Sequence, residues 1–421
     1  MHTGSSATRR DFLARSAGLA AAAGLAAAGA GCSAGAGRFN RGPAVEAAAG
    51  PRPRTIGPND TIRFGLIGIG GHGRHDLSRL LELKGVEIKA IADPDPENLR
   101  QAVEMVRKAG GGDIDTYDGF DDWKNKLLAR DDIDAVFTAT PCYLHGPIHL
   151  ACFAAGKHFY GEKPMCIEAG EADALVQAQR RNPHVKGQIG FQRRGSRLYA
   201  EGIRRIRQDE LGGMIDGRGA WNNSWGPLGL PHEKASTWPG RIWLGRVQYS
   251  GDWMLEQACH TWDVFCWATG GMPVAASGVG RRDVYKDLDP QRDVTDFYFA
   301  HLEFPNGLLV DFEHSWIGPK TDAQGRFNGV FERIAGRKGG IDLGAGLFFP
   351  REAKDGKNEP IDYRPEEGCH YAASLQAFLD AIRNDTPVIC GVEEGRMATY
   401  TGLLVREAVY RGRRVEMKEL M

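Results

Sequence analysis

The chain has 421 residues, 42% of them hydrophobic and 25% charged, with a formal net charge of −1. That length suggests two folded domains with ample core in each. The near-neutral balance supplies no global field to draw the chain onto nucleic acid or an anionic membrane, so neither is expected as a partner.

Residues 1–35 read as an address. Thr8-Arg9-Arg10-Asp11-Phe12-Leu13 is a twin-arginine pattern, and the Ala- and Gly-rich run Ala17 to Ala30 behind it is too weakly apolar for a membrane span. The expectation is export in folded form by the twin-arginine (Tat) machinery to the periplasm, with no transmembrane span in the mature protein. Cys32 offers a lipidation site, yet Gly29 stands where a lipobox wants a leucine-like residue, so a signal-peptidase cut elsewhere is an equal alternative. Residues 36–60, rich in Ala, Gly, Pro and Arg, are expected to form a flexible linker. Cys142, Cys152, Cys166, Cys259, Cys266, Cys369 and Cys390 show no C-x-x-C pair and are read mostly as buried small hydrophobes.

From Thr61 strand and helix alternate. Arg63 to Ile69 is a β-branched and aromatic run, read as a buried strand. It enters Gly68-Ile69-Gly70-Gly71-His72-Gly73, a complete G-x-G-x-x-G. An amphipathic helix with Leu77, Leu80, Leu81 and Leu83 follows, then a strand Val86 to Ala92 that ends on Asp93. A dinucleotide accounts for each part. Gly68 allows the tight turn, Gly70 lets the backbone approach a pyrophosphate, and Gly73 lets helix and strand pack closely. The helix start presents N–H groups and a dipole to the phosphates. Asp93 would accept the adenosine ribose hydroxyls and repel a 2′-phosphate, which favours NAD over NADP. A Gly-rich turn with Asp93 capping the next helix is the plain alternative; the order and spacing of the whole unit weigh against it. Helices at Pro96 to Lys108, through Leu127 and Leu128, at about His145 to Ala155 and at Ala169 to Arg180 alternate with strands at Asp134 to Ala139, Lys157 to Gly161 and His184 to Gly190. These repeats predict a doubly wound parallel sheet, a Rossmann domain over residues 61–192.

Past Gln192 the character changes. Residues 213–222, 273–281, 295–303, 308–316 and 327–335 read as strands, with a helix from about Met254 to Ala268 among them. Helices at about Tyr371 to Arg383 and Glu393 to Arg411 finish the chain. This predicts a C-terminal α+β domain over 193–421 with a large open antiparallel sheet. Residues 223–250 show no period; Trp221, Trp225, Trp238 and Trp243 in and beside them are either stacking surfaces for a sugar or anchors for a loop.

Glu162-Lys163-Pro164 closes a parallel strand at the end where doubly wound sheets place ligands. Lys163, desolvated beside a nicotinamide, would have its pKa lowered and take a hydroxyl proton as hydride leaves the carbon; a solvated lysine closing a strand is the alternative. Glu256 and His260 are i, i+4 and are expected to share one helical face, with Asp263 a turn further. Arg193 and Arg194 lie where the chain crosses between domains and suit either a substrate contact or a salt bridge. His145 and His149 are also i, i+4, but no third ligand has suitable spacing, so no metal is expected.

Thr140-Pro141 with His145, Gly156-Lys157-His158, Glu162-Lys163-Pro164 and, far downstream, Glu256, His260 and Asp263 together resemble the Gfo/Idh/MocA family over about 61–415. The resemblance implies NAD held by Gly68, Ile69, Gly70, Gly71, His72, Gly73, Asp93, Thr140, Pro141, His145, Glu162 and Lys163. It also implies Lys163 and His260 as catalytic groups on the substrate oxygen, with Glu256 positioning His260. Arg193, Arg194 and Asp263 would face the substrate, and the antiparallel sheet would pair subunits. Many members carry Asp where Glu256 stands, which puts its partner in question. The function expected is an exported oxidoreductase that moves hydride between captive NAD and a ring hydroxyl of a sugar or cyclitol. The alternatives are a glycoside hydrolase or lyase working by transient oxidation, elimination and re-reduction, and a non-catalytic NAD- or sugar-binding protein.

Overall fold

The computed structural model describes residues 48–224, 226–230, 242–322, 325–352, 359–364 and 369–421. The signal segment 1–35, Cys32, Trp225 and Trp238 lie outside them. Buried apolar runs form the first sheet: β1 (Ile62–Ile67), β2 (Val86–Ala92), β3 (Asp115–Tyr117), β4 (Ala135–Thr138), β5 (His158–Gly161) and β6 (Gly187–Ile189). Its order is β3-β2-β1-β4-β5-β6 and every pairing is parallel. Strand order reverses between β1 and β4, so the carboxyl ends of these two strands flank the crevice where such sheets bind ligands. Helices α1 (Gly71–Leu81), α2 (Pro96–Lys108), α3 (His145–Ala154) and α4 (Ala169–Arg181) supply the crossovers.

The second half runs through α5 (Arg197–Arg207), β7 (Asp216–Asn222), α6 (Trp253–Glu256), α7 (Cys259–Thr269), β8 (Ala275–Arg281), β9 (Phe297–Glu303), β10 (Leu309–Ser315), β11 (Gly329–Ala335), β12 (Gly339–Asp342), β13 (Leu347–Pro350), β14 (Ile361–Asp362), α8 (His370–Arg383), α9 (Val392–Arg411) and β15 (Val415–Glu416). Its strands form one sheet in the order β14-β13-β12-β11-β7-β10-β9-β8-β15. The expected antiparallel sheet is a mixed one. β7 pairs parallel with β10, because the long connection through α6, α7, β8 and β9 brings the chain back in the same direction. Alternation in β9 buries Tyr298, Ala300 and Leu302 and turns Phe299 and His301 outward.

The two halves share a core. Phe153, Met165 and Leu175 of the first half pack in one cluster with Trp262, Phe312 and Leu404 of the second. On the other face of the parallel sheet, α8 closes the core. Phe378 meets Phe64 and Tyr160 with ring centroids 6.4 and 5.8 Å apart, and Tyr160 Oη lies 3.1 Å from Ser374 Oγ. The described part of the expected linker is anchored rather than free. Gly50 N–H donates to Asn182 Oδ1 at 2.7 Å, and Arg54 pairs at 2.8 Å with Asp134, a buried carboxylate that also holds Arg63. The described cysteines are unpaired, and all but Cys369 are buried. No helix among the described residues is long and apolar enough to cross a membrane.

Candidate active site

The site is built from the turn between β1 and α1 outward. Gly68 has φ +79°, and a Cβ there would meet the Ala139 carbonyl oxygen at 2.7 Å. A Cβ on Gly73 would meet the Gly68 carbonyl oxygen at 2.7 Å. A Cβ on Gly70 or Gly71 would meet nothing within 4 Å. The outer glycines are therefore demanded by close packing, and the inner pair borders open space. Gly70 caps α1 without a side-chain hydrogen bond, which leaves the first N–H groups of the helix facing that space. This cradle fits a dinucleotide pyrophosphate.

Asp93 is buried and already engaged. Its Oδ2 accepts Ile69 N–H at 2.7 Å, and its Oδ1 accepts Asp95 N–H at 2.9 Å and Asn98 Nδ2 at 3.2 Å. Burial raises its pKa and these donors oppose the rise. A carboxylate offers about four acceptor positions, so roughly one remains for a ribose hydroxyl. Asp93 thus ties the glycine loop to the end of β2.

Glu162 and Lys163 follow β5. Lys163 Nζ donates to the backbone oxygen of Glu256 at 2.8 Å and to its Oε1 at 3.0 Å. The expected depression of its pKa is overturned. Burial pulls that way, but the Glu256 carboxylate outweighs it, so the pKa is raised and Lys163 is an ammonium. Glu256 and His260 do not share one continuous helix, as expected from their spacing. α6 ends at Glu256 and α7 starts at Cys259. Glu256 turns to Lys163, while His260 lies face to face on Trp221 with centroids 5.4 Å apart. Burial, and then the charges of Lys163 and Arg193, hold the His260 imidazole far below its ordinary pKa, so it is neutral. Its Nδ1 is buried without a hydrogen-bond partner among the described residues.

The expected substrate contacts split. Arg194 forms a bidentate pair with Asp263 at 2.8–3.0 Å, with side chains 6% and 1% exposed. Both are spent on the fold rather than open to a ligand. Arg193 pairs with Glu332 yet lines a groove of about 800 Å³ together with Gln192, Tyr199, Asn222, Arg326 and His370. His145 sits behind the site: Nδ1 is 2.7 Å from the Pro164 carbonyl oxygen and Nε2 2.9 Å from that of Thr140. It fastens the Thr140-Pro141 turn to the Lys163-Pro164 turn. Trp221 holds His260 and lies under the Arg193 guanidinium at 5.5 Å, so it serves as an anchor; Trp243 packs against the core.

Other residues emerge only in three dimensions. Glu332, fully buried on β11, gathers Arg193, Thr261 and Tyr199. Tyr371 accepts from Gln192 Nε2 at 2.8 Å and packs its ring against His72 and His75. His72 Nε2 lies 3.3 Å from Asp76 Oδ2 and 3.5 Å from Glu162 Oε2. Burial, with the Glu162 charge, raises Asp76 to about 8. Glu332 interrupts an alternating strand pattern, which is the faint sequence signal that it belongs to a buried network.

With this geometry in place, two family profiles match the chain: an oxidoreductase family with an NAD-binding Rossmann fold over 62–189, and the GFO/IDH/MocA C-terminal domain over 200–342. A glycosyl hydrolase family 109 protein of Shewanella pealeana is 34% identical over 33% of this chain, and the match spans 32% of that protein. An inositol 2-dehydrogenase of Arthrobacter sp. is 26% identical over 76% of this chain and 86% of that protein. The solved scyllo-inositol dehydrogenase of Lactobacillus casei, with NAD(H) and scyllo-inositol bound, superposes with a TM-score of 0.66 over 85% of this chain and 100% of that one at 21% identity, a likeness of fold.

Proposed function

This chain belongs to the Gfo/Idh/MocA family of oxidoreductases, with their NAD-binding Rossmann fold, and on that premise we propose that it oxidises or reduces a ring hydroxyl of a sugar or cyclitol. The observation that carries the reading is the Lys163–Glu256 pair beside neutral His260, at the carboxyl end of the parallel sheet. When bound, NAD supplies the hydride acceptor. Lys163 Nζ has three donors and spends two on Glu256, so one is left to orient the substrate oxygen. His260, kept neutral, can take that oxygen's proton, and Nε2 is the nitrogen available because Nδ1 is closed off. The division of labour is thus an ammonium that orients and an imidazole that accepts.

The twin-arginine pattern supports a periplasmic location, where no free NAD pool exists, so we take the cofactor to be captive. Phe299 and Leu309, exposed on the outer face of the mixed sheet, support pairing of subunits there. The likeness to a glycosyl hydrolase family 109 protein over a third of this chain favours one second reading, a redox-neutral glycoside cleavage through the same Lys163 and His260.

Purifying the mature chain without added nucleotide, denaturing it and assaying the supernatant for NAD tests the captive cofactor. Near-stoichiometric NAD is expected. Inositols, aldoses and aryl glycosides would then be compared. Net NADH from a polyol supports the dehydrogenase, release of an aglycone without net NADH supports the second reading, and an empty protein that binds no added NAD would falsify both.

A further inference from the structure

We propose that His72, Asp76 and Glu162 form a binding site for one divalent cation of intermediate hardness, such as zinc or manganese, at the mouth of the glycine loop. One ligand atom from each residue lies within 4.8 Å of the others. The contacts measured from His72 Nε2, 3.3 Å to Asp76 Oδ2 and 3.5 Å to Glu162 Oε2, match the roughly 3.4 Å edge of a tetrahedron around a metal with bonds of about 2.1 Å. Nitrogen and carboxylate donors in this mixture suit that class of ion.

The second observation is Asp76 itself. It is 2% exposed, it points at His72, and neither of its oxygens has a hydrogen-bond partner among the described residues. Buried polar atoms ordinarily have partners, and a cation held between these groups would supply the one that both oxygens lack. The site is also placed to receive one. Asp76 lies one turn after His72 on α1 (i, i+4), and Glu162 arrives from the end of β5 across the crevice. His72 keeps about half of its side chain exposed, so the cluster can be reached from solvent.

That position has a chemical logic. A divalent ion held by His72, Asp76 and Glu162 would place positive charge beside the cradle, where an anionic pyrophosphate fits. A phosphate oxygen or water would complete the shell. The rival arrangement is a protonated His72 lying between the two carboxylates, and it takes up no metal.

The test needs no nucleotide, so it stands apart from the hydride-transfer reading. The full mature chain is stripped with a chelator, dialysed, titrated with Zn²⁺ or Mn²⁺, and assayed for bound metal by atomic emission. One equivalent is expected in the parent. Asp76→Asn and His72→Ala should each bind at least about tenfold more weakly. Half-exposed His72 keeps the test alive if Asp76→Asn fails to fold. No bound metal in the parent, or unchanged affinity in His72→Ala, overturns the proposal. NAD binding is measured separately by fluorescence; its loss alongside intact metal binding would fault the dinucleotide reading and leave the cation site standing.

Discussion

Two ion pairs in and beside the site differ in what they leave over. Arg194–Asp263 is bidentate and almost sealed, with both carboxylate oxygens taken. Lys163–Glu256 has side chains 14% and 13% exposed, with a single contact to one carboxylate oxygen and a second to a backbone carbonyl. The first engages both oxygens of its carboxylate and so fastens Asp263 to the chain. The second holds a cation while leaving a donor unspent. Sequence placed all four residues near the substrate; the pairs differ in whether one or both carboxylate oxygens are engaged.

The largest expected effect breaks the comparison at its chemical end. Lys163→Met removes the ammonium and fills its space, and should cut kcat/KM by about 10³-fold while circular dichroism shows the fold retained. A loss below tenfold would return Lys163 to the role of a strand-end lysine. At the scaffold end, Asp263→Ala leaves a buried guanidinium unpaired and should cost about 3–5 kcal/mol in urea unfolding. An Asp263→Ala protein of normal stability with a raised KM would move Asp263 back among the substrate contacts.

Acid separates scaffold from site in another way. Burial holds the His158 imidazole down at about 4, with Nδ1 accepting Lys186 N–H at 3.0 Å. An unfolded histidine titrates near 6.5, so below that pH the unfolded state binds more protons and stability falls as pH falls. By pH 5 this one histidine should remove about 2 kcal/mol relative to pH 8, and His158→Asn should flatten the slope by that amount. Identical slopes in urea titrations of parent and variant would show that His158 is not held neutral by the fold.

What could be read from the sequence follows from how local each cause is. The β-α units and the cradle at Gly68, Gly70 and Gly73 are legible because helix period, strand period and backbone clearance act over a few residues. The parallel pairing of β7 with β10 is not, since strand pattern says nothing of which strand lies beside which. Nor is the break between Glu256 and Cys259, which sends two residues of helical spacing to different partners. The charge state of Lys163 was misread for the same reason: desolvation is foreseeable at a strand end, but the carboxylate that overrides it lies 93 residues away. Asp76 carries no signal in the sequence because its neighbours His72 and Glu162 converge only after folding. The anchoring of the segment after Ala48 likewise rests on Asn182 and Asp134, far along the chain.

The smallest expected effect sharpens the comparison most, because it asks how much of the Lys163 anchorage is carboxylate. Glu256→Gln keeps an acceptor oxygen and leaves the backbone carbonyl at 2.8 Å in place, so Lys163 should stay in position and lose only the charged part of its hold. A charged hydrogen bond is worth about 1 kcal/mol more than a neutral one, which sets the expected fall in kcat/KM at roughly five- to tenfold. The fall should lie in kcat, since the Nζ donor proposed for the substrate oxygen is retained. Glu256→Asp, one methylene shorter, withdraws the carboxylate from Nζ while preserving its charge. If charge alone mattered, Asp would restore activity that Gln loses. If reach decides, Asp should perform no better than Gln, which would mean that this chain has fitted its lysine to the length of glutamate. A Glu256→Gln loss as large as that of Lys163→Met would instead make the pair one catalytic unit, and the free-donor reading of Lys163 would have to be abandoned.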